Sequence, residues 1–256
     1  MKRHLYLFGF LLFYLFSFSL KLNSQESFSS SNVQYLTSDD GLSQNEVTSM
    51  LQDSKGFLWI GTRGGLNRYD GSSFKIFQNE IGNTNSLNNN SIETLFEDSD
   101  GFIWIGTKSN GFTRYNPKLN KFEEFNINKE QPRFLHNKRV VSIAEGFNKD
   151  IWLGTFQNGL HIYSQKNNSS ISLLKNIKVT DILKSSDNKM WVTTSYGLYQ
   201  YTAKGKLINS FFVPNLEIEF TSIVEDKKTG LLYLGTWNNG LFEFNLKSEK
   251  FKRYYN

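Results

Sequence analysis

The chain has 256 residues, 38% of them hydrophobic and 16% aromatic, enough to bury the core of one large domain. Its formal charge of +5 owes much to the N terminus: Lys2, Arg3 and Lys21 fall within the first 24 residues, which hold no acid. The remainder is near neutral and lacks the basic footprint of a nucleic-acid binder, and the absence of cysteine excludes disulfides, thiolate metal sites and a cysteine nucleophile.

In chain order, a basic stretch (Lys2, Arg3, His4) precedes an apolar run from Leu5 to Leu20, and a polar segment, Lys21 to Gln25, follows. This pattern predicts a secretory signal peptide over residues 1–24. The run is shorter than the ~20 residues that a bilayer span needs, although an uncleaved anchor is the alternative. Either way the expected location is periplasmic or secreted.

Beyond residue 45 the chain repeats itself. Phe57-Leu58-Trp59-Ile60-Gly61-Thr62 returns as Phe102-Ile103-Trp104-Ile105-Gly106-Thr107 and as Asp150-Ile151-Trp152-Leu153-Gly154-Thr155. It returns again as Lys189-Met190-Trp191-Val192-Thr193-Thr194 and as Leu231-Leu232-Tyr233-Leu234-Gly235-Thr236. The aromatic residue recurs at intervals of 45, 48, 39 and 42 residues, a period that suits one propeller blade per repeat. Each copy reads as four short strands. An alternating strand comes first, then a polar turn such as Asp53-Ser54-Lys55-Gly56, then the Trp strand. A turn ending in Gly follows, with Asn-Gly at Asn110-Gly111, Asn158-Gly159 and Asn239-Gly240, and two more strands close the unit. The predicted repeats span 46–90, 91–139, 140–178, 179–220 and 221–256. Four strands cannot bury both faces of their sheet, so the tryptophans are expected between stacked blades.

With the lead-in Tyr35 to Asn45, which contains Asp39-Asp40-Gly41-Leu42-Ser43, these repeats resemble the two-component regulator propeller family. The resemblance covers about residues 33–256; the fourth copy departs from it at Thr193 and the fifth at Tyr233. It implies the periplasmic sensor half of a hybrid histidine kinase that responds to an oligosaccharide. The kinase half is not expected here, because no phospho-acceptor histidine motif or ATP-binding glycine loop occurs. Residues 25–45 are expected to hold an N-terminal strand, at Val33 to Thr37, and the lead-in. Since the fifth repeat supplies its own outer strand from Lys250 to Tyr254, that N-terminal strand is surplus. The expected fold is therefore all-β: a propeller of five four-stranded blades, an incomplete ring from a larger one of about seven.

No catalytic pattern appears. His4, His136 and His161 are scattered, and no nucleophile elbow, zinc-protease helix or phosphate-binding loop is present. No enzyme activity, cofactor or metal is expected. Comparing the repeats with one another separates framework from variation: the turn between second and third strands changes in every copy. It offers Arg63, Lys108, Asn110, Gln157, Tyr196, Trp237 and Asn238 as candidate ligand-binding residues, a mixture suited to stacking on sugar faces and bonding sugar hydroxyls. The expected function is an extracytoplasmic ligand-sensing segment, the alternative a free-standing secreted binding or scaffold module. Expected partners are an oligosaccharide, further blades or domains of a receptor, or a second copy; nucleic acid is not among them.

Overall fold

The computed structural model describes residues 34–123, 135 and 137–254. The signal peptide expected over 1–24 lies outside the described residues, as does His136. The blades belong to one compact unit, Thr37–Asn256.

Among the described residues, twenty strands form five antiparallel sheets of four, each in simple chain order. The first blade holds β1 (Val47–Gln52), β2 (Leu58–Thr62), β3 (Leu66–Tyr69) and β4 (Phe74–Phe77). The second holds β5 (Ile92–Glu97), β6 (Ile103–Thr107), β7 (Phe112–Asn116) and β8 (Lys121–Glu123). The third holds β9 (Val140–Glu145), β10 (Ile151–Thr155), β11 (Leu160–Ser164) and β12 (Ser169–Leu173). The fourth holds β13 (Val179–Lys184), β14 (Lys189–Thr194), β15 (Leu198–Thr202) and β16 (Leu207–Phe211). The fifth holds β17 (Phe220–Asp226), β18 (Leu231–Thr236), β19 (Leu241–Asn245) and β20 (Lys250–Tyr254). The first strands of successive blades, β1, β5, β9, β13 and β17, pack beside one another around the axis, and the ring they begin is not closed.

The expected N-terminal strand does not form at Gln34 to Thr37, which carry no strand. Each of the five sheets already ends on its own fourth strand, so none needs a strand from outside its repeat. Instead Thr37 caps a single 3-10 turn at Ser38–Asp40, with Asp40 bonding back to the Thr37 amide, and Gly41 leaves it at φ 104°. A left-handed backbone there favours glycine. The turn delivers Leu42, which is buried, and Ser43, which is locked to the first blade: its amide donates to Asn67 Oδ1 (2.8 Å) and its hydroxyl lies 2.8 Å from that of Thr62.

Four hydrophobic clusters fill the four junctions between blades. Trp59, Trp104, Trp152 and Trp191 are fully buried there, each facing the next blade. Each adds about 4–6 kcal/mol of gross apolar burial at ~25 cal/mol per Å². The strand glycine two residues later has a packing reason. A Cβ on Gly61 would lie 2.7 Å from Ile92 Cγ2, and one on Gly154 would lie 2.6 Å from Val179 Cγ1. The first residue of each inner strand is thus a knob and the glycine of the preceding blade its socket. In the fourth blade Thr193 fills the socket. The corresponding knob, Phe220, turns into its own blade against Phe242 and Phe251, with ring centroids 6.1 and 5.9 Å away.

The end opposite the variable turns carries a second repeated device. Asp53 and Asp98 accept from the indole N–H of Trp59 (2.8 Å) and Trp104 (2.7 Å). In blades three and four that acid is replaced by Gly146 and Ser185, and the Nε1 atoms of Trp152 and Trp191 have no partner among the described residues. The next residue ties neighbouring blades: the Ser54, Ser99 and Ser186 hydroxyls donate to Glu97, Glu145 and Glu225. Between blades three and four both partners change together, and the Lys184 ammonium sits 4.7 Å from the ring centroid of Phe147.

Candidate functional site

In a four-stranded up-and-down sheet, the turn between second and third strands shares one end with the connection to the next blade. The local chemistry of that turn is the same in all five blades. The threonine ending the second strand donates its hydroxyl to the turn glycine's carbonyl: Thr62 to Gly65, Thr107 to Gly111, Thr155 to Gly159, Thr194 to Gly197 and Thr236 to Gly240, at 2.7–3.1 Å. The same oxygen accepts a turn amide, as from Asn110, Asn158 and Asn239. This lock frees the residues between for variation.

Past the lock, the turns of blades two to five dock on the residue that precedes the inner strand of their own blade. The amides of Lys108, Phe156, Ser195 and Trp237 donate to the carbonyls of Ser91, Arg139, Lys178 and Glu219 (3.0–3.2 Å). Side chains from these two sets build an arc around the axial mouth. Arg63 Nε donates to Glu46 (2.7 Å), Arg139 pairs with Glu93 (3.0 Å), and Lys178 pairs with Glu219 (2.5 Å). Phe156 lies between the last two pairs, its ring centroid 4.5 Å from the Arg139 guanidinium carbon and 4.6 Å from Lys178 Nζ. The arc spans blades one to five with three acid–base pairs and one aromatic plate held between two cations. Glu46 raises the affinity of Arg63 for its proton, by hydrogen bond and then by charge. Glu93 Oε1, Arg139 Nε and the Thr48, Ser49 and Ser91 hydroxyls are buried without a partner among the described residues, which leaves hydrogen-bonding capacity for water.

The seven residues singled out in the sequence all lie on these turns, but in different situations. Lys108, Gln157 and Asn238 are exposed, and so are the rings of Tyr196 (65%) and Trp237 (76%), on adjacent blades. Arg63 is held by Glu46. Asn110 is part of the scaffold: its amide donates to the Asn88 carbonyl (2.7 Å) and its own carbonyl accepts from Asn88 Nδ2 (2.7 Å). Glu46, Glu93, Arg139, Phe156, Lys178 and Glu219 escaped the sequence reading. A comparison of the residues flanking the inner strands, not only of the turns, would have found them.

Other ionisable groups serve the scaffold. His161 is buried; its Nδ1 lies 2.9 Å from the Ser172 hydroxyl and its Nε2 3.1 Å from the Asn158 carbonyl, and burial pushes its pKa down. Asp181, at the axis, accepts from the amides of Ile182 (2.8 Å) and Ile223 (3.1 Å) and from the Ser142 hydroxyl (3.1 Å), so one carboxylate joins three blades. Among the described residues no cluster of His, Asp or Glu is arranged to hold a metal ion.

Comparison with known proteins places this architecture. The Two component regulator propeller family matches residues 41–64 and 86–109, which hold the first two strands of the first and second blades. Histidine kinase P4 of Formosa agariphila is 45% identical over 78 residues, which is 30% of this chain and 5% of that protein. The extracellular domain of the hybrid two-component system BT3049 from B. thetaiotaomicron superposes with a TM-score of 0.73 at 26% identity, over 86% of this chain and 31% of that one. The corresponding domain of BT4673 gives 0.66 at 27% identity, over 81% of this chain and 27% of its own. The chain resembles the extracellular propeller region of two-component hybrid sensors. It spans less than a third of the solved chains and a twentieth of the kinase. The residues described here correspond to sensor blades, and no kinase module is among them.

Proposed function

We propose that this chain supplies ligand-sensing blades to an extracytoplasmic two-component regulator, and that the ligand is an oligosaccharide held on the variable-turn end. One observation carries the reading: exposed aromatic rings of adjacent blades, Tyr196 and Trp237, stand at the same end as an arc of paired charges around Phe156. Rings offer stacking surfaces to the apolar faces of sugars, while Lys108, Gln157 and Asn238 supply donors and acceptors for hydroxyls. The threonine locks hold the turns in place before binding, which lowers the ordering cost of recognition. Binding then reports across the junctions between blades, because Arg139–Glu93 and Lys178–Glu219 pair residues of neighbouring blades.

Isothermal calorimetry of the mature chain against neutral and acidic oligosaccharides tests this. A saturable, stoichiometric heat that disappears in the Tyr196→Ala/Trp237→Ala variant supports it. A sugar bound equally well by that variant overturns the assignment of the face.

A further inference from the structure

Five residues before the inner strand, three of the connections between blades carry a leucine. Leu87, Leu135 and Leu174 stand at that distance from Ile92, Val140 and Val179, the first residues of β5, β9 and β13. Each packs into the hydrophobic cluster of its junction: Leu87 with Tyr115 and Phe122, Leu135 with Trp104, and Leu174 with Trp152. Before Phe220 of β17 the same position holds Asn215, which is exposed. Leu135, Leu174 and Asn215 share a left-handed backbone, with φ of 57°, 48° and 58°. The fourth connection thus keeps the bend and lacks the plug.

The rings around the plug are otherwise repeated. At the first junction Trp59 stacks on Phe77, Phe77 meets Tyr115 and Tyr115 meets Phe122, with centroids 5.8, 5.2 and 4.9 Å apart. At the fourth, Trp191, Phe211, Phe244 and Phe251 repeat this succession at 5.9, 4.7 and 4.8 Å. Where Leu87 is present, Phe122 is buried. Where the plug is missing, a groove of about 710 Å³ opens along Phe211, Phe212, Leu216, Phe242 and Phe251, with Glu249, Lys250 and Arg253 also lining it. Phe212 is 53% exposed there. Both walls belong to complete blades, and the connection between them lies wholly within the described residues, so the opening is a local change of sequence. The first connection also bonds the outer strand it crosses: Asn85 Oδ1 accepts from the Phe122 amide (2.8 Å). Phe251 pairs with Phe244 as Phe122 pairs with Tyr115, so its amide too points out from the blade edge.

We propose that this groove takes an extended segment of a partner protein, which supplies the missing plug. The segment inserts an aliphatic side chain among the rings, as Leu87 does at the first junction, and offers a carbonyl oxygen to the Phe251 amide, as Asn85 does to Phe122. An outward-facing strand amide beside an apolar slot is what extended peptides use: the main chain supplies affinity and the slot selects the side chain. Two cations and one acid line the groove, so an acidic side chain on the segment is set against Lys250. This contact is independent of any ligand on the variable turns.

The first connection supplies a probe. A fluorescein-labelled peptide with the sequence of residues 79–90 holds the plug Leu87, Asn85 and one acid, Glu80. Fluorescence anisotropy with the mature chain should show saturable binding, lost when the peptide carries Leu87→Asp. In the chain, Asn215→Leu restores an internal plug, on a backbone that Leu135 and Leu174 already adopt, and should weaken binding about tenfold or more. Lys250→Glu should weaken it severalfold. The chain has no cysteine, so an environment-sensitive dye on Leu216→Cys reports from the groove alone and should shift to the blue as peptide binds. Circular dichroism of each variant confirms the fold. No saturable binding up to about 1 mM peptide, equal binding of the Leu87→Asp peptide, or indifference to both Asn215→Leu and Lys250→Glu overturns the proposal. A dimer in sedimentation velocity that Asn215→Leu splits would assign the groove to a second copy and overturn it as well.

Discussion

A Cβ built on Gly61 comes within 2.7 Å of Ile92 Cγ2, across the boundary between the first and second blades. The same relationship joins Gly154 to Val179, whereas Gly235 faces no knob among the described residues. Gly154→Ala should therefore cost about 1–3 kcal/mol, the usual penalty for overpacking a tight junction. Gly235→Ala meets first the rotatable hydroxyl of Ser222 and should cost under ~1 kcal/mol. Urea melts of the two variants at one protein concentration decide it; equal losses would mean that the glycine serves the strand itself rather than the neighbouring blade.

The tryptophans make a matched pair of another kind. Trp104 donates to Asp98 at 2.7 Å, while Trp152 Nε1 has no partner among the described residues. Replacing either ring by Phe removes similar apolar area, but only Trp104→Phe leaves a buried carboxylate short of a donor. Trp104→Phe should be the more damaging by ~1–3 kcal/mol. A reversed order in thermal or urea denaturation would contradict the bonding pattern.

These contrasts mark the boundary of what the sequence discloses. Trp59, Gly61 and Thr62 recur because every junction asks the same of them, so five copies expose the blade and its strand order. The knobs Ile92, Val140 and Val179 look like ordinary strand openers until the ring order sets each against a glycine some 30 residues earlier in the chain. The arc is harder still: Glu46, Ser91, Arg139, Lys178 and Glu219 occupy one position with four residue types. The meaning of Arg139 and Lys178 lies in contacts with another blade, Arg139 with the bulge residue Glu93 and Lys178 with the turn residue Phe156 and with Glu219. Similarly, Phe147 and Lys184 break the Ser–Glu tie separately in sequence and restore a contact only together. Of the seven turn residues, Asn110 was legible as a hairpin signal, and that structural role is the one its bonds to Asn88 support.

Asp181 gives a pH signature. Burial raises its pKa, against the lowering effect of hydrogen bonds from Ile223, Ile182 and Ser142. The folded state then binds more protons than the unfolded state between the ordinary carboxylate value and the raised one. Stability contributed by this group is present below that window and is lost as pH rises through it. Asp181→Asn cannot titrate, so the wild-type-minus-variant difference in unfolding free energy should decline with rising pH across the window and then level off. A difference that climbs with pH would show that the bonds to the carboxylate outweigh its burial.

The proposed ligand-bearing end can be tested by setting its parts against one another. If sugar stacks on the exposed rings, Trp237→Ala should weaken binding about tenfold, equivalent to ~1.4 kcal/mol, and Tyr196→Ala by a similar factor. Phe156→Ala should act differently. Its ring separates Arg139 from Lys178, and without it two cations face each other across a gap. The arc then loosens, and affinity falls through altered positions rather than a lost surface. Restoring a ring with Phe156→Tyr should recover affinity, whereas Phe156→Leu, which keeps volume but not the attraction to cations, should recover less. Lys55 and Asp100 sit on turns at the opposite end, so Lys55→Ala and Asp100→Ala should leave affinity unchanged. Calorimetry with one bound oligosaccharide, run across these variants, separates the cases. Sensitivity at Lys55 and Asp100 together with indifference at Trp237 and Phe156 would move the site to the other end of the blades, where Ser54 and Ser99 tie neighbours to Glu97 and Glu145.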